Sequence, residues 1–216
     1  MNETLAIIIG YLLGSIPAAY IATRSIKGGD IRRMGGGNVG GLNVYREVGL
    51  WPALAVGIFD FGKGAAAVAI AKWGLNVPDA YVLLAGLAAV IGHNWMVWLK
   101  FSGGKGMGAT IGALLVLLPV YGYSLQLGIF AAIIVIPLVI TRNVALSMFL
   151  GLASLPIIVW FSVDPGKEYA TIISAALLLI IVVKFLPTAL AALRKRGLAA
   201  FGVDRWQRDK KQSKEG

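Results

Sequence analysis

Long uncharged, apolar runs recur along this chain, and they constrain its fold more than any other feature. The longest of them, Met107–Ile140, contains no charged residue. In a bilayer every backbone N–H and C=O must be hydrogen-bonded within the protein, and a helix of about 20 apolar residues achieves this across the hydrocarbon core. Only 14% of the 216 residues are charged, against roughly a quarter in soluble domains. The sequence therefore predicts an all-α integral membrane protein.

The apolar runs predict about seven transmembrane helices. Because Met107–Ile140 is too long for one span, we divide it at residues 119–124, where a proline, a glycine and two tyrosines indicate a turn at a membrane interface. A count of five or six helices is the alternative. The predicted spans are Leu5–Ala22, Trp51–Ala71, Tyr81–Leu99, Met107–Leu118, Leu125–Ile140, Val144–Phe161 and Tyr169–Val183. The first span is similar to a signal peptide, but Glu3 replaces the usual basic residues, so we expect an uncleaved helix.

Residues 1–193 are predicted to form one membrane domain, and residues 194–216 a basic cytoplasmic tail. Contact with anionic lipid headgroups explains such a tail, and a specific partner is the alternative. The net charge of +10 suggests nucleic acid at first sight, but the basic residues cluster beside the membrane spans, so we expect the lipid bilayer and no nucleic acid as a partner. The chain has no cysteine and one histidine, and we therefore expect neither a metal site nor a cofactor.

A first glycine-rich loop, residues 35–46, interrupts the apolar pattern. Its backbone N–H groups are suited to bind a phosphate, and Gly37 and Gly40 permit close approach of a ligand. Arg46 adds a positive charge, and Asn38 and Asn43 add amide donors. The G-x-G-x-x-G spacing does not indicate a dinucleotide site, because no strand–turn–helix context surrounds it. The loop is either an anion site or a connector.

A second glycine-rich loop, residues 103–106, lies immediately before the span that starts at Met107. Its Gly103 and Gly104 N–H groups would lie near a helix N-terminus, where the helix dipole favours an anion. Lys105 supplies a point charge for phosphate. It is not a Walker A loop, because Met107 stands where Ser or Thr is required. The alternative is a lysine that only reaches toward the membrane surface.

Three further ionisable residues fall at or inside predicted spans. Asp60 and Lys63 are three residues apart on one helical face, and at that depth they form either a structural ion pair or part of the site wall. His93 is either a general base or a residue whose hydrogen bonds fix the loop. The His-x4-Asp motif of common acyltransferases is missing, since Trp98 stands in place of the aspartate.

Basic residues also predict the orientation in the membrane. With the N-terminus outside, every Lys and Arg except Lys63, Lys72 and Lys167 lies on the inner side or in the C-terminal segment. Cytoplasmic loops carry this excess in membrane proteins. We therefore expect a multi-pass protein of the cell (plasma) membrane, with both glycine-rich loops and the C-terminus in the cytoplasm.

At these positions the sequence resembles the acyl-phosphate-dependent glycerol-3-phosphate acyltransferases, the PlsY family. The resemblance runs in register over most of the chain. It rests on Gly14–Pro17, on Gly36–Arg46 against Ser-Gly-Asn-x-Gly-Ala-Thr-Asn-x-x-Arg, on Asp60–Gly64 against Asp-x-x-Lys-Gly, on Gly92–Gly106 against Gly-His-x-x-Pro-x-Phe-x-x-Phe-x-Gly-Gly-Lys-Gly, and on Thr141–Ser147 against Thr-Arg-Tyr-Val-Ser-Leu. The chain departs from the family at Gly36, Leu42 and Met96, which replace Ser, Thr and Pro. The family's third motif, His-Arg-x-Asn-Ile-x-Arg-Leu, is absent, and residues 184–193 stand in its place.

The resemblance implies transfer of a fatty acyl group from acyl phosphate to the 1-hydroxyl of glycerol-3-phosphate, giving lysophosphatidate and phosphate for phospholipid biosynthesis. It implies catalytic roles for His93 and Lys105, with Asp60, Lys63 and Arg142 in support. The implied phosphate-binding residues are Gly37, Asn38, Gly40, Asn43, Arg46, Gly103, Gly104 and Lys105. The alternatives are an inactive or altered-acceptor paralogue, suggested by the lost third motif, and a membrane transporter of a phosphorylated ligand.

Overall fold

The computed structural model describes residues 1–162 and 167–196, and within these ranges the chain forms helices and no β-strand. The helices are α1 (Asn2–Ser15), α2 (Ala18–Lys27), α3 (Gly41–Glu47), α4 (Leu50–Ala69), α5 (Asp79–Asn94), α6 (Met107–Val120), α7 (Ser124–Thr141), α8 (Val144–Ser162) and α9 (Lys167–Arg196). Short 3-10 turns occur at Ile31–Arg33 and Val97–Leu99, and a π-helical turn, Ile70–Gly74, extends α4. The predicted tail lies outside the described residues from position 197 onward.

The predicted all-α membrane architecture is confirmed. Six described segments are long and apolar enough to cross a membrane, and α6 is a shorter apolar helix. Together they account for about seven spans, as the sequence predicted. The proposed division of the longest apolar run is also correct, since α6 ends at Val120 and α7 begins at Ser124.

Helix α6 is too short to cross the hydrocarbon core by itself. At 1.5 Å per residue its 14 residues extend about 21 Å, against a core of about 30 Å. Polar backbone at membrane depth is tolerated only where protein surrounds it or where it lines a cavity. The short helix thus leaves room for the second glycine-rich loop to lie within the protein rather than at its surface.

The first predicted span is two helices rather than one. Proline has no N–H and its ring clashes with the preceding turn, so Pro17 ends the regular helix. Helix α1 ends at Ser15, Ile16 is extended, and α2 begins at Ala18. The carbonyl of Ile16 is therefore released from the helical hydrogen-bond ladder and becomes available to another part of the protein.

Glycines bring the central helices into close contact. A Cβ atom on Gly10 or Gly14 of α1 would collide with a backbone carbonyl of α5, and one on Gly64 of α4 would collide with the carbonyl of Ala109 in α6. On α6, Gly112 meets the carbonyl of Phe61 in the same way. Lipid tails are as apolar as leucine side chains, so close packing of this kind supplies much of the helix association in a membrane.

Candidate active site

The two glycine-rich loops share one hydrophobic cluster. Val39 and Val44 of the first loop pack in it with Met96 and Leu99, which lie just before the second loop. Met96 stands where the family has proline, and it is 1% exposed. Burial of these side chains stabilises the two loops against each other, because each contributes about 1.5–3 kcal/mol when removed from water.

Arg32 links the segment before the first loop to the segment before the second loop by a hydrogen bond. The guanidinium of Arg32 donates to the carbonyl of Leu99 at 3.3 Å and to the carboxylate of Asp30, with the shortest contact at 2.6 Å. This hydrogen bond from Arg32 lowers the pKa of the Asp30 carboxyl. Asp30 also accepts a hydrogen bond from the backbone N–H of Arg32. It therefore contacts both the backbone and the guanidinium of Arg32, and so fixes the direction of the arginine side chain.

Asn43 organises the first loop from within. Its side-chain amide donates to the carbonyls of Ile31, Met34 and Asn38 at 3.4, 3.1 and 3.1 Å, and its oxygen accepts from the N–H of Gly36 at 3.3 Å. The residue is 4% exposed. The structure thus places Asn43 among backbone groups of its own loop, so it acts on a ligand through the loop's shape.

Asn38 differs from Asn43 in its surroundings. Its side chain is half-buried, and within residues 1–162 and 167–196 that side chain makes no hydrogen bond. Gly37 beside it has φ +69°, a left-handed conformation that favours glycine. Gly40 precedes α3 with extended backbone and lies next to the Asn38 amide. Asn38 is therefore the amide of this loop that remains available to a ligand.

Lys105 and Arg46 bring two positive charges together from the two loops. Burial, and to a smaller extent the nearby charge of Arg46, lower the pKa of the Lys105 ammonium to about 8. The Lys105 Nζ atom also lies 4.1 Å from the centre of the Phe185 ring on α9. Two cations held close together in a partly buried place are suited to bind an anion.

The second loop is built for close approach to His93. The Gly104 N–H donates to the His93 carbonyl at 2.9 Å. A Cβ atom on Gly104 would collide with the Nε2 atom of His93 and lie 2.7 Å from the carbonyl of Val39 in the first loop. Gly106 has φ +74° and precedes the first residue of α6. Only glycine fits at position 104, which joins both loops and the histidine.

Asp60, Lys63 and His93 form a buried cluster under the loops. The Lys63 Nζ atom lies 2.8 Å from Asp60 Oδ1, and His93 Nδ1 lies 3.4 Å from the same oxygen. All three residues are at most 6% exposed. The ion pair between Asp60 and Lys63, one of the two alternatives that the sequence left open, is present in the structure. With Nδ1 facing Asp60, the other ring nitrogen of His93 faces Gly104.

The break in the first span serves this cluster. Lys63 Nζ donates to the freed carbonyl of Ile16 at 3.3 Å. Nearby, Ser15 Oγ donates to the Gly92 carbonyl at 3.4 Å, and the Tyr11 hydroxyl donates to the Trp95 carbonyl at 2.8 Å. A lysine inside a membrane protein needs hydrogen-bond acceptors. By ending α1, Pro17 makes the carbonyl of Ile16 available to Lys63 as one of them.

Sequence reasoning missed several residues of the site. Asn94 is fully buried beside Gly106, and neither polar atom of its side chain has a hydrogen-bond partner in the described part of the chain. A buried amide at the end of a span is itself a signal of function. Phe185 also reaches the site, from α9. Its neighbour Lys184, a basic residue considered as a substitute for the lost third motif, lies with its Nζ atom 5.1 Å from the Trp95 ring.

Arg142 is the one predicted site residue that the structure does not join to the others. It lies exposed between α7 and α8, and among the described residues it has no hydrogen bond, ion pair or ring contact with either loop. In the same ranges, no three His, Cys, Asp or Glu side chains lie together as a metal would require.

Comparison with known proteins gives a consistent result. The family model described as glycerol-3-phosphate acyltransferase matches residues 4–194. Glycerol-3-phosphate acyltransferase 1 of Dehalococcoides mccartyi is 49% identical over 97% of this chain and 100% of its own length. The glycerol-3-phosphate acyltransferase of Synechococcus sp. is 41% identical over 83% of this chain and 87% of its own length.

A solved structure has the same fold. PlsY (YgiH), described as an integral membrane glycerol 3-phosphate acyltransferase in its glycerol 3-phosphate form, superimposes with a TM-score of 0.79. It is 25% identical, and the match covers 91% of this chain and 94% of that chain. These matches span the helices that carry both loops and the buried cluster beneath them.

Proposed function

The chain belongs to the glycerol-3-phosphate acyltransferase family, and we propose that it transfers a fatty acyl group from acyl phosphate to the 1-hydroxyl of glycerol-3-phosphate. The products are lysophosphatidate and inorganic phosphate. The single observation that carries this proposal is the meeting of Lys105 and Arg46, because a reaction between two phosphorylated substrates needs cations from more than one direction.

The reaction needs no nucleophile from the protein. The substrate hydroxyl oxygen attacks the acyl carbonyl carbon, a C–O ester bond forms, and the carbon–oxygen bond to phosphate breaks. Phosphate leaves with the electron pair of that bond, and the hydroxyl proton passes to a base. The protein contributes orientation of the two substrates and stabilisation of the developing oxyanion, which are large terms in acyl transfer.

Lys105 and the N–H groups before α6 bind the phosphate of the donor in this proposal. Burial weakens competition from water for the lysine charge, and at pH 7 a lysine with a pKa of about 8 is mostly protonated. Arg46 binds the second phosphate, with Asn38 as its hydrogen-bonding neighbour. The glycines at 37, 40, 103 and 104 allow the backbone to approach both anions.

His93 is the base in this proposal. Asp60, 3.4 Å from Nδ1, orients the ring and stabilises the imidazolium that forms. The Nε2 atom, on the side of Gly104, then receives the proton of the attacking hydroxyl. Lys63 pairs with Asp60 at 2.8 Å and holds it in place, which makes Asp60 and Lys63 positioning residues.

Lys184 takes over part of the role of the family's missing third motif. The residues of that motif help to hold glycerol phosphate, and positions 184–193 do not reproduce them. Lys184 nevertheless contacts Trp95, next to His93 and Asn94, and it comes from the same helix as Phe185 at Lys105. We expect its ammonium to contact the acceptor phosphate.

The orientation of the chain follows the charges. We place the N-terminus outside, and both glycine-rich loops and the C-terminus in the cytoplasm, at the cell membrane. Since the chain has no cysteine, single cysteines at Ser102 and Tyr123 can be labelled without background. In intact cells an impermeant maleimide should label Tyr123→Cys and spare Ser102→Cys, and the reverse pattern would invert this topology.

The experiment that tests the function uses purified protein in lipid with palmitoyl phosphate and glycerol-3-phosphate. Phosphate release and lysophosphatidate formation are followed together, beside Lys105→Ala. Equal release of both products, lost in the variant, supports the proposal. Phosphate without lysophosphatidate would mean hydrolysis or another acceptor, and absence of both products from folded protein would contradict acyl transfer from acyl phosphate.

A further inference from the structure

Helix α9 brings two neighbouring residues to the candidate active site from outside both glycine-rich loops. The centre of the Phe185 ring lies 4.1 Å from the Nζ atom of Lys105. The Nζ atom of Lys184 lies 5.1 Å from the centre of the Trp95 ring. Residues 184–193 stand in place of the family's third motif, so that motif does not account for either contact.

The contact between Lys105 and Phe185 has the geometry of a cation–π interaction. The face of an aromatic ring carries partial negative charge and attracts a cation that lies within about 6 Å of the ring centre. The attraction is stronger where water is excluded, and both side chains are half-buried. The ring therefore favours one position of the lysine ammonium over the many that its flexible stem allows.

An aromatic ring can hold a lysine without neutralising it. A carboxylate in the position of Phe185 would cancel the positive charge and would accept hydrogen bonds from the ammonium. The ring does neither, and within residues 1–162 and 167–196 the Nζ atom of Lys105 makes no hydrogen bond or ion pair. The charge and the N–H donors that point away from the ring thus remain available to a phosphate.

The partial burial of Lys105 makes this support useful. Removal from water, and to a smaller extent the charge of Arg46, lower the pKa of Lys105 to about 8. Both effects disfavour the ammonium form that binds phosphate. A ring face stabilises the ammonium and not the neutral amine, so Phe185 acts in the opposite direction to both.

The buried face of α9 directs Phe185 toward the second loop. Leu177 and Ile181 lie in a hydrophobic cluster that includes Val90 of α5. Residues four apart lie on the same face of a helix, so Phe185 continues this face by one turn beyond Ile181. The ring is therefore fixed by the packing of the helix that carries it, which a positioning role requires.

We propose that Phe185 is a positioning residue for Lys105, whose ammonium it holds against its ring face with the charge left free for a phosphate. This inference rests on the proposed role of Lys105 in binding the donor phosphate. It adds to that role a residue from the segment that lacks the family's third motif.

The electron density of the ring can be varied while its shape is kept. Fluorine atoms withdraw density from the ring face and change its volume little, so phenylalanines with one, two and three ring fluorines at position 185 weaken the attraction in steps. The KM for palmitoyl phosphate is expected to rise at each step, to about fivefold with three fluorines. The same series at Phe149, an exposed ring on α8, is the matched control and should leave KM unchanged.

The pH dependence separates a cation–π role from simple packing. Loss of the ring's attraction disfavours the ammonium, so fluorination should move the rise in KM from about pH 8 to lower pH. Phe185→Leu, which keeps an apolar side chain, should act like the three-fluorine ring, and Phe185→Trp should restore wild-type behaviour. In Lys105→Met the fluorine series should leave kcat/KM unchanged.

Constant KM and an unchanged pH profile across the series at Phe185 would overturn the proposal, as would an equal effect of fluorination in Lys105→Met. Calorimetric titration of inorganic phosphate into the same variants provides a readout that needs no turnover. If the wild-type protein transfers no acyl group from acyl phosphate, the proposed function fails. A stepwise loss of phosphate affinity would still support the role of Phe185, and constant affinity would overturn it.

Discussion

The Nδ1 atom of His93 lies 3.4 Å from the Oδ1 atom of Asp60, in a place where both side chains are almost fully buried. Asp60 also binds Lys63 at 2.8 Å, and Lys63 donates to the carbonyl that Pro17 releases from the first helix. One carboxylate thus connects α4, α5 and the break between α1 and α2. The geometry of the proposed base depends on this connection.

Asp60→Asn is expected to harm both stability and turnover. Breaking a buried ion pair leaves an uncompensated charge on Lys63, at a cost of about 3–5 kcal/mol. The loss of ring orientation should lower kcat more than it changes KM. Thermal unfolding in detergent and steady-state kinetics measure the two effects. Glu168→Gln, the same chemical change at an exposed position of α9, serves as the control.

For Asp60→Asn, kinetics equal to wild type in a stable protein would show that Asp60 has no part in turnover. A fall in stability with kcat unchanged would leave it a purely structural residue. Either outcome would remove the support for His93 as the base.

Lys105 predicts how substrate binding depends on pH. Its pKa of about 8 means that the ammonium loses its proton as the pH rises through 8. The lysine charge that binds the donor phosphate is therefore present below pH 8 and lost above it. The KM for the acyl phosphate donor should rise from pH 8 upward. Lys105→Arg keeps its charge throughout this range and should abolish that rise, even if its absolute activity is lower.

Arg46 offers an independent check on the same group. Because its charge helps to lower the pKa of Lys105, Arg46→Gln should move the rise in KM to higher pH. A rise in KM at unchanged pH in both Lys105→Arg and Arg46→Gln would assign the titration to another group.

The two asparagines of the first loop should behave differently. Asn43→Ala removes the side-chain hydrogen bonds to four backbone groups of the loop at a buried position, which should cost about 2 kcal/mol or more of stability. Asn38→Ala should leave the unfolding temperature near that of wild type and raise KM for a phosphorylated substrate. Equal loss of stability in the two variants would contradict this division of roles.

Glycine packing between α4 and α6 can be tested with alanine. Gly64→Ala and Gly112→Ala place a methyl group against a backbone carbonyl, which cannot move as a side chain can, and should destabilise the protein by about 1–3 kcal/mol. Gly57→Ala and Gly62→Ala on α4 meet no atom within 4 Å and are the matched controls. A loss of stability in the controls as large as in Gly64→Ala would show that helix conformation, rather than contact, sets the cost.

The sequence predicted the helices and most of the site for physical reasons that act locally. In a bilayer an apolar run has to form a helix, because its backbone groups find hydrogen-bond partners only within the protein. The spans and the turn near Tyr121 could therefore be placed from the sequence. Glycine, asparagine and cations interrupting those runs marked both loops. The meeting of Asp60, Lys63 and His93 could be anticipated only in part, because α4 and α5 are brought together by packing that sequence spacing does not express.

What sequence reasoning missed depends on tertiary packing. The side chain of Asn43 forms its hydrogen bonds with backbone groups of its own loop, and the sequence of the loop does not show this. Phe185 reaches Lys105 from a distant helix. Arg142, joined to the site by resemblance, remains apart from it in the described residues.

The most direct test of the central claim, that the two loops form one active site, is a double-mutant cycle between Arg46 and Lys105. We would measure kcat/KM for wild type, Arg46→Gln, Lys105→Met and the double variant, all in lipid with palmitoyl phosphate and glycerol-3-phosphate. Neighbouring charges in one site are coupled, so the combined loss should differ from the sum of the single losses by about 1 kcal/mol or more. Strictly additive losses would contradict a common site and assign the two cations to separate functions.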